Sequence, residues 1–215
     1  MMSMVTRFLT TILVVFAAGA AEAAAPDIWP AGDREEVERI EAYLESMTTL
    51  RANFLQANAD GTLDSGIMWL WRPGLVRIEY AAPTEVLMVA TGNWLVYFDA
   101  ELDQVSHIPA DSGPFRFLLD EEVRFGEGVE VRELARSSGL LKLTLADAED
   151  PGAGSVTLVF DETPMALRQW EVRDAQGFLT IVTLTDAVVG ESFDRDWFYF
   201  PASARKPDFR IGQLP

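Results

Sequence analysis

His107 is the only histidine in the chain, and it bounds most of the chemistry the sequence could perform. A Ser/His/Asp relay would have to use it, at the end of the strand-like run 104–108 and just before Pro109. No Gly-x-Ser-x-Gly elbow supplies a nucleophile. One histidine cannot build a two-histidine zinc site, and no His/Asp/Glu set has zinc spacing. The absence of cysteine excludes thiol nucleophiles, thiolate clusters, zinc ribbons and disulfides. Pro151-Gly-Ala-Gly-Ser155 lacks the Gly-Lys-Ser/Thr of a phosphate loop. Asp147, Glu149 and Asp150 could attract calcium, but their loop does not match an EF-hand. Carboxylate pairs such as Asp99/Asp103 arise by chance among 34 acidic residues, so a solvated face is their default. The residues point away from an enzyme and call for no cofactor or metal. A lipid hydrolase using His107 is the one enzymatic alternative with a candidate residue.

Composition narrows the class further. The chain has 215 residues, 49% of them hydrophobic and 11% aromatic, too apolar to stay unfolded and long enough for one substantial core. The formal charge of −17 and a pI near 4.3 disfavour nucleic acid, whose phosphates need a basic surface. Residues 1–23 read as a secretory signal: a start carrying Arg7, an uncharged run of 13 residues from Phe8 to Ala20, and the small-x-small site Ala21-Glu22-Ala23. The run is shorter than the ~20 residues of a spanning helix. Its removal takes away Arg7 and Glu22 and leaves the charge at −17. The expectation is an exported, soluble, periplasmic protein forming one domain over 24–215. Without cysteine it carries no lipid anchor and holds its fold by packing alone.

The elements that must position any site are one helix followed by strands. Asp33 and Glu36 have capping-box spacing, and Val37, Ile40, Leu44 and Met47 form one apolar stripe of a helix over about 33–47. Glu35, Arg39, Glu41 and Glu45 fall on the opposite face. After Thr48 the period becomes two. Strands are expected around 50–54, 66–71, 75–80, 86–90, 94–98, 104–108, 141–145, 156–160, 166–173 and 178–188, joined by Gly, Asp, Asn or Pro turns. Val76, Ile78 and Tyr80 share one face; Arg77 and Glu79 share the other. Pro114 to Leu119 suits a short helix or an apolar loop. The basic tail 201–215 has little periodicity. Roughly ten or eleven hairpin-spaced strands make an antiparallel barrel, part-barrel or sandwich.

One helix of about 15 residues spans about 22 Å. It can plug a curved sheet's mouth but cannot fill its interior. Two readings stay open: a sheet closed on its own side chains, or an apolar hollow under a helical lid, which would be a lipid-binding cavity.

The order of motifs carries a resemblance. Leu50-Arg-Ala-Asn-Phe54-Leu-Gln56 looks like the "T-L-x-A-x-F-x-Q" first strand of the periplasmic carriers of outer-membrane lipoproteins. Residues 66–83, with Gly66, Arg72-Pro73, Arg77, Tyr80 and Pro83, resemble their "G-x-l-x-x-x-R-P-x-x-F-R-W-x-Y-x-x-P". Thr91-Gly92, Leu95 to Asp99 and Leu102 to Val105 continue the match, which is ordered over 37–120 and then fades. The resemblance implies a mainly β protein: an incomplete antiparallel barrel of ten to eleven strands, with a helical lid over an apolar cavity. It implies acylated lipoproteins as cargo, received from an inner-membrane ABC transporter and handed to an outer-membrane receptor by a monomeric soluble chaperone. Carried over by position, Arg72 is the lid latch. Leu44 lies on the lid helix, and Phe115 and Leu118 on a second lid segment. Leu50, Phe54, Met68, Leu70, Val76, Ile78 and Tyr80 line the acyl cavity. Val76 and Ile78 stand where the motif has Phe and Trp, so the cavity floor is expected to be less aromatic. The alternative is a same-fold lipid-binding or envelope-stress module that passes no cargo onward.

Overall fold

In a computed structural model, the described residues are 33–91, 94–109, 119–126 and 128–200. The expected signal segment, Phe115, Leu118 and the 201–215 tail lie outside them. Helix α1 spans Asp33–Ser46. Eleven strands follow: β1 Thr49–Ala57, β2 Leu63–Trp71, β3 Leu75–Tyr80, β4 Val86–Thr91, β5 Trp94–Asp99, β6 Gln104–Pro109, β7 Val129–Ser137, β8 Leu140–Asp147, β9 Gly154–Glu162, β10 Met165–Asp174 and β11 Leu179–Val189. A 3-10 turn at Arg195–Phe198 ends the described chain's regular structure. The described helix begins at Asp33, and Glu36 pairs with Arg136 and Arg39. β7 carries no clean alternation in the sequence, because Glu130, Arg132, Glu133 and Arg136 crowd it.

The strands form one open antiparallel sheet in the order β6-β5-β4-β3-β2-β1-β11-β10-β9-β8-β7. Every neighbour is a sequence neighbour except β1 and β11, which pair the beginning of the meander with its end. β6 and β7 are the two edges. Register shifts at Arg51/Asn53, Val131/Glu133 and Leu167/Gln169 mark bulges, which bend the sheet and raise its twist.

The inner face is apolar from β1 to β5 and from β7 to β11. Leu50, Phe54, Leu70, Ile78 and Leu95 join Leu143, Leu158, Trp170 and Leu184 in one buried cluster with Val37, Ile40 and Leu44 of α1 and with Met47 just past its end. The helix thus packs against the inner face, in one cluster with residues of both halves of the sheet. Trp94 to Phe98 is apolar on both faces. Leu95 faces the inner cluster, while Phe98 packs outward with Leu87 and Val89 against Phe200.

The outer face of β2 to β5 is not open to water either. Trp69 and Leu75 pack beneath Phe198, with Trp71, Phe193 and Trp197 around them. Arg77 pairs with the buried Glu79 at 2.6 Å and donates from Nη1 to the Trp197 carbonyl at 2.9 Å. A run that alternates apolar and charged residues therefore buries both of its faces.

Gly66 is fixed by close approach. It pairs with Phe54 on one side and Tyr80 on the other, and those two rings meet edge-to-face at 5.0 Å. A Cβ at Gly66 would fall on the carbonyl oxygen of Glu79 and 2.7 Å from the Phe54 ring. Backbone on one side leaves little room to give. Gly66→Ala is expected to cost about 3 kcal/mol and lower the Tm by about 10 °C, read by thermal unfolding. An unchanged Tm would show that the strands shift freely there.

Candidate functional site

The Arg72 side chain leaves the end of β2, where Pro73 stops the strand, and turns in under the helix. Nη1 donates to the carbonyl of Leu44, in the last turn of α1. Nη2 donates to the carbonyl of Asp120 and, at 3.4 Å, to that of Glu121. One guanidinium thus bonds sheet, helix and the 119–126 segment together. It is 8% exposed, and Nε has no hydrogen-bond partner. All of its bonded acceptors are neutral carbonyls. Burial lowers its pKa from the usual arginine value, opposed by the Glu45 and Asp120 carboxylates. A buried charge held this way stabilises the fold only modestly, because desolvation offsets much of the bond energy.

Further contacts seat the helix. The Leu167 N–H, at the β10 bulge, donates to the Tyr43 hydroxyl at 3.0 Å, and the Tyr43 ring meets Phe160 edge-on. Glu36 pairs with Arg136 of β7 at 2.6 Å. The Val123 and Phe125 N–H groups donate to Glu45 and Glu41 at 3.3 and 2.6 Å. Gly74 N–H donates to the Leu119 carbonyl at 2.9 Å, pinning the same segment to the β2–β3 turn. Leu119, Val123 and Phe125 join the inner cluster.

Of the residues named from the sequence, Leu44, Leu50, Phe54, Met68, Leu70, Val76 and Ile78 are all buried in that one cluster, with Tyr80 packed at its margin. Tyr80 sits where the apolar face ends: its hydroxyl donates to Gln56 at 2.8 Å, and burial raises its pKa to about 12. Phe115 and Leu118 lie outside the described residues. His107 is exposed on edge strand β6, its ring 6.5 Å from that of Trp94. Among the described residues no group of His, Asp or Glu could hold a metal, and no helix is long and apolar enough to cross a membrane.

Sequence reading missed Tyr43, Glu41 and Glu45 as contact residues. Their partners lie 124, 84 and 78 positions away, so no local pattern reports them. Glu41 is half-buried, and desolvation raises its pKa, against the Phe125 N–H and Arg124, with Glu45 and Glu38 adding to the rise. A raised folded-state carboxyl pKa means the neutral form is favoured by folding, so stability grows as pH falls through that range. Glu41→Gln keeps an acceptor for Phe125 and removes the charge. The variant should therefore match or exceed the parent at pH 8, with the parent regaining ground as pH falls to 5. Paired Tm measurements across that range check this; a gap widening toward acid pH would refute it.

The family comparisons agree with this architecture. The family model described as "Outer membrane lipoprotein carrier protein LolA" matches residues 45–201. An outer-membrane lipoprotein carrier protein of Azotobacter vinelandii is 27% identical over 208 residues, covering 90% of this chain and 93% of that one. An uncharacterized protein of Rickettsia prowazekii is 21% identical over 158 residues, covering 74% and 73%. Among solved structures, an uncharacterized conserved protein from Thermus thermophilus has a TM-score of 0.51 at 12% identity, covering 80% of this chain and 96% of that one. A LolA superfamily protein from Nitrosomonas europaea gives 0.42 at 9% identity, covering 74% and 96%. With the family model spanning well over half its length, the chain belongs to the outer membrane lipoprotein carrier protein LolA family.

Proposed function

We propose that the protein is a periplasmic chaperone that takes the acyl chains of lipoproteins into the space between α1 and the concave sheet, and ferries them from the inner to the outer membrane. The observation that carries this reading is a concave face apolar across both halves of the sheet, whose cover is an amphipathic helix bolted by Arg72 to backbone carbonyls. Such a cover can be displaced without breaking a strand. In this reading residues 1–23 direct export, and Leu44, Leu50, Phe54, Met68, Leu70, Val76, Ile78, Tyr80, Phe115 and Leu118 meet the acyl chains. An inner-membrane ABC transporter supplies cargo to the monomeric carrier, and an outer-membrane receptor takes it.

The energetics suit a carrier that must also let go. Three C16 chains fully buried would release over ~30 kcal/mol at ~0.8 kcal/mol per CH₂. Non-covalent affinities saturate at about 18–21 kcal/mol, and a carrier needs far less. Val37, Ile40, Leu44 and Met47 occupy the concave face in the closed form and compete for it. Displacing these four side chains into water costs about 6–12 kcal/mol. The lid helix acts as the resident substitute for the cargo, and its return drives release.

The test is binding to a triacylated lipopeptide and to its unacylated twin. Acyl-dependent binding supports the reading. Equal or absent binding removes it. Acyl-dependent binding without passage to the outer-membrane receptor would leave a lipid-binding module in place of a carrier.

A further inference from the structure

Glu41 and Glu45 are one helical turn apart, about 6 Å along the axis of α1. Val123 and Phe125 are alternate residues of an adjoining segment, and alternate residues of extended chain repeat at about 6.6 Å. The two spacings match. Phe125 N–H donates to Glu41 at 2.6 Å and Val123 N–H to Glu45 at 3.3 Å, running antiparallel to the helix. Arg124 between them donates to Glu45 at 2.6 Å and to the Val123 carbonyl at 2.8 Å. The helix thus offers two carboxylates as a strand edge would offer two carbonyls. The apolar side chains of Val123 and Phe125 join the same buried cluster as Ile40 and Leu44.

We infer that α1 and the 119–126 segment are one lid rather than two, clasped by Glu41 and Glu45, and that they leave the sheet together when Arg72 lets go. Arg72 holds both parts at once, through Leu44 on the helix and Asp120 on the segment, so its release loosens both in one step. The other bonds from this lid to the sheet, Tyr43 to Leu167, Glu36 to Arg136 and the Leu119 carbonyl to the Gly74 N–H, are ones opening must also break. What the lid opens to rests on the carrier reading; the clasp does not.

The chain has no cysteine, so paired cysteines can be introduced without background. Glu45→Cys with Arg124→Cys replaces an ion pair inside the lid, and Glu36→Cys with Arg136→Cys replaces one between lid and sheet. Each pair is closed with the same short bismaleimide and given a fluorescent triacylated lipopeptide. The expected result is loading within about twofold of the unlinked protein for the first pair, and at least tenfold slower loading for the second. A first link that blocks loading as the second does would show that helix and segment must part, overturning the inference. Free loading with both links would overturn it too, since the helix would then not leave the sheet. Failure of the unlinked proteins to bind would overturn the carrier reading, and the clasp is then judged by hydrogen exchange. The Val123 and Phe125 amides should exchange with the same opening as the core amides of α1. Glu41→Ala with Glu45→Ala should speed them at least tenfold while leaving α1 unchanged. Unaltered exchange in that variant would overturn the clasp.

Discussion

Arg72→Leu is expected to hold a triacylated lipopeptide more tightly and to pass it on less well. In the carrier reading proposed above, the bonds from the guanidinium to the Leu44, Asp120 and Glu121 carbonyls belong to the shut state alone. On that reading, removing it would leave the loaded form untouched and destabilise the empty closed form that competes with cargo. Hydrogen bonds to charged groups are worth about 1.5–3 kcal/mol each before desolvation is set against them. A net loss of about 2 kcal/mol from the closed form would slow release roughly thirtyfold. Leucine also relieves the burial of an incompletely satisfied charge, so thermal stability should move by only a few degrees. Arg72→Lys should fall between, because one ammonium cannot span both lid parts as a guanidinium fork does. The measurements are the dissociation rate of a fluorescent lipopeptide and its transfer to acceptor vesicles carrying the receptor. Faster transfer by the leucine variant, or an unchanged dissociation rate, would sink the latch.

The second large effect lies on the opposite side of the sheet. Phe198→Ala should cost about 3–5 kcal/mol, the usual range for an aromatic ring removed from a packed site. Phe198 is 2% exposed and stacks edge-on with Trp71 at 6.1 Å over Trp69 and Leu75. The adjoining Arg195 guanidinium lies 5.8 Å from the Trp71 ring centre, and Trp197 offers its carbonyl to Arg77. Losing the ring loosens the segment that excludes water from the Arg77–Glu79 pair. At about 2–4 °C per kcal/mol for a domain of this size, the Tm should drop by roughly 6–20 °C. Calorimetry decides the matter. A drop under about 3 °C would mean the 190–200 segment merely rests on the sheet. Because Trp71 precedes Arg72, the same variant should also speed lipopeptide entry if the strand end it pins aims the latch.

Most strands were legible because they bury at least one face, and a face of period two shows in the sequence. Residues 75–80 alternate, and the structure puts Val76 and Ile78 inside and Arg77 outside as that alternation requires. β7 escaped because an edge strand can mix charges on both sides without losing a core partner. The burial of Glu79 escaped for a different reason: what covers it arrives 120 residues later, as Trp197 over Arg77. Trp94 to Phe98 is apolar on both faces for two separate reasons, an inner core and a C-terminal cover.

By itself the sequence determined a mainly β chain led by one amphipathic helix, with an apolar stripe at 37, 40, 44 and 47 and an Arg-Pro motif closing the second strand. Those properties are local: residue type, spacing and period. Only the tertiary structure decided that β1 pairs with β11, that Arg72 reaches Leu44 and Asp120, and that Glu41 and Glu45 bond the 123–125 backbone. Each of these joins groups distant in the chain through backbone atoms, which every residue has. A bond to a backbone carbonyl or amide leaves no mark on the identity of the residue that supplies it.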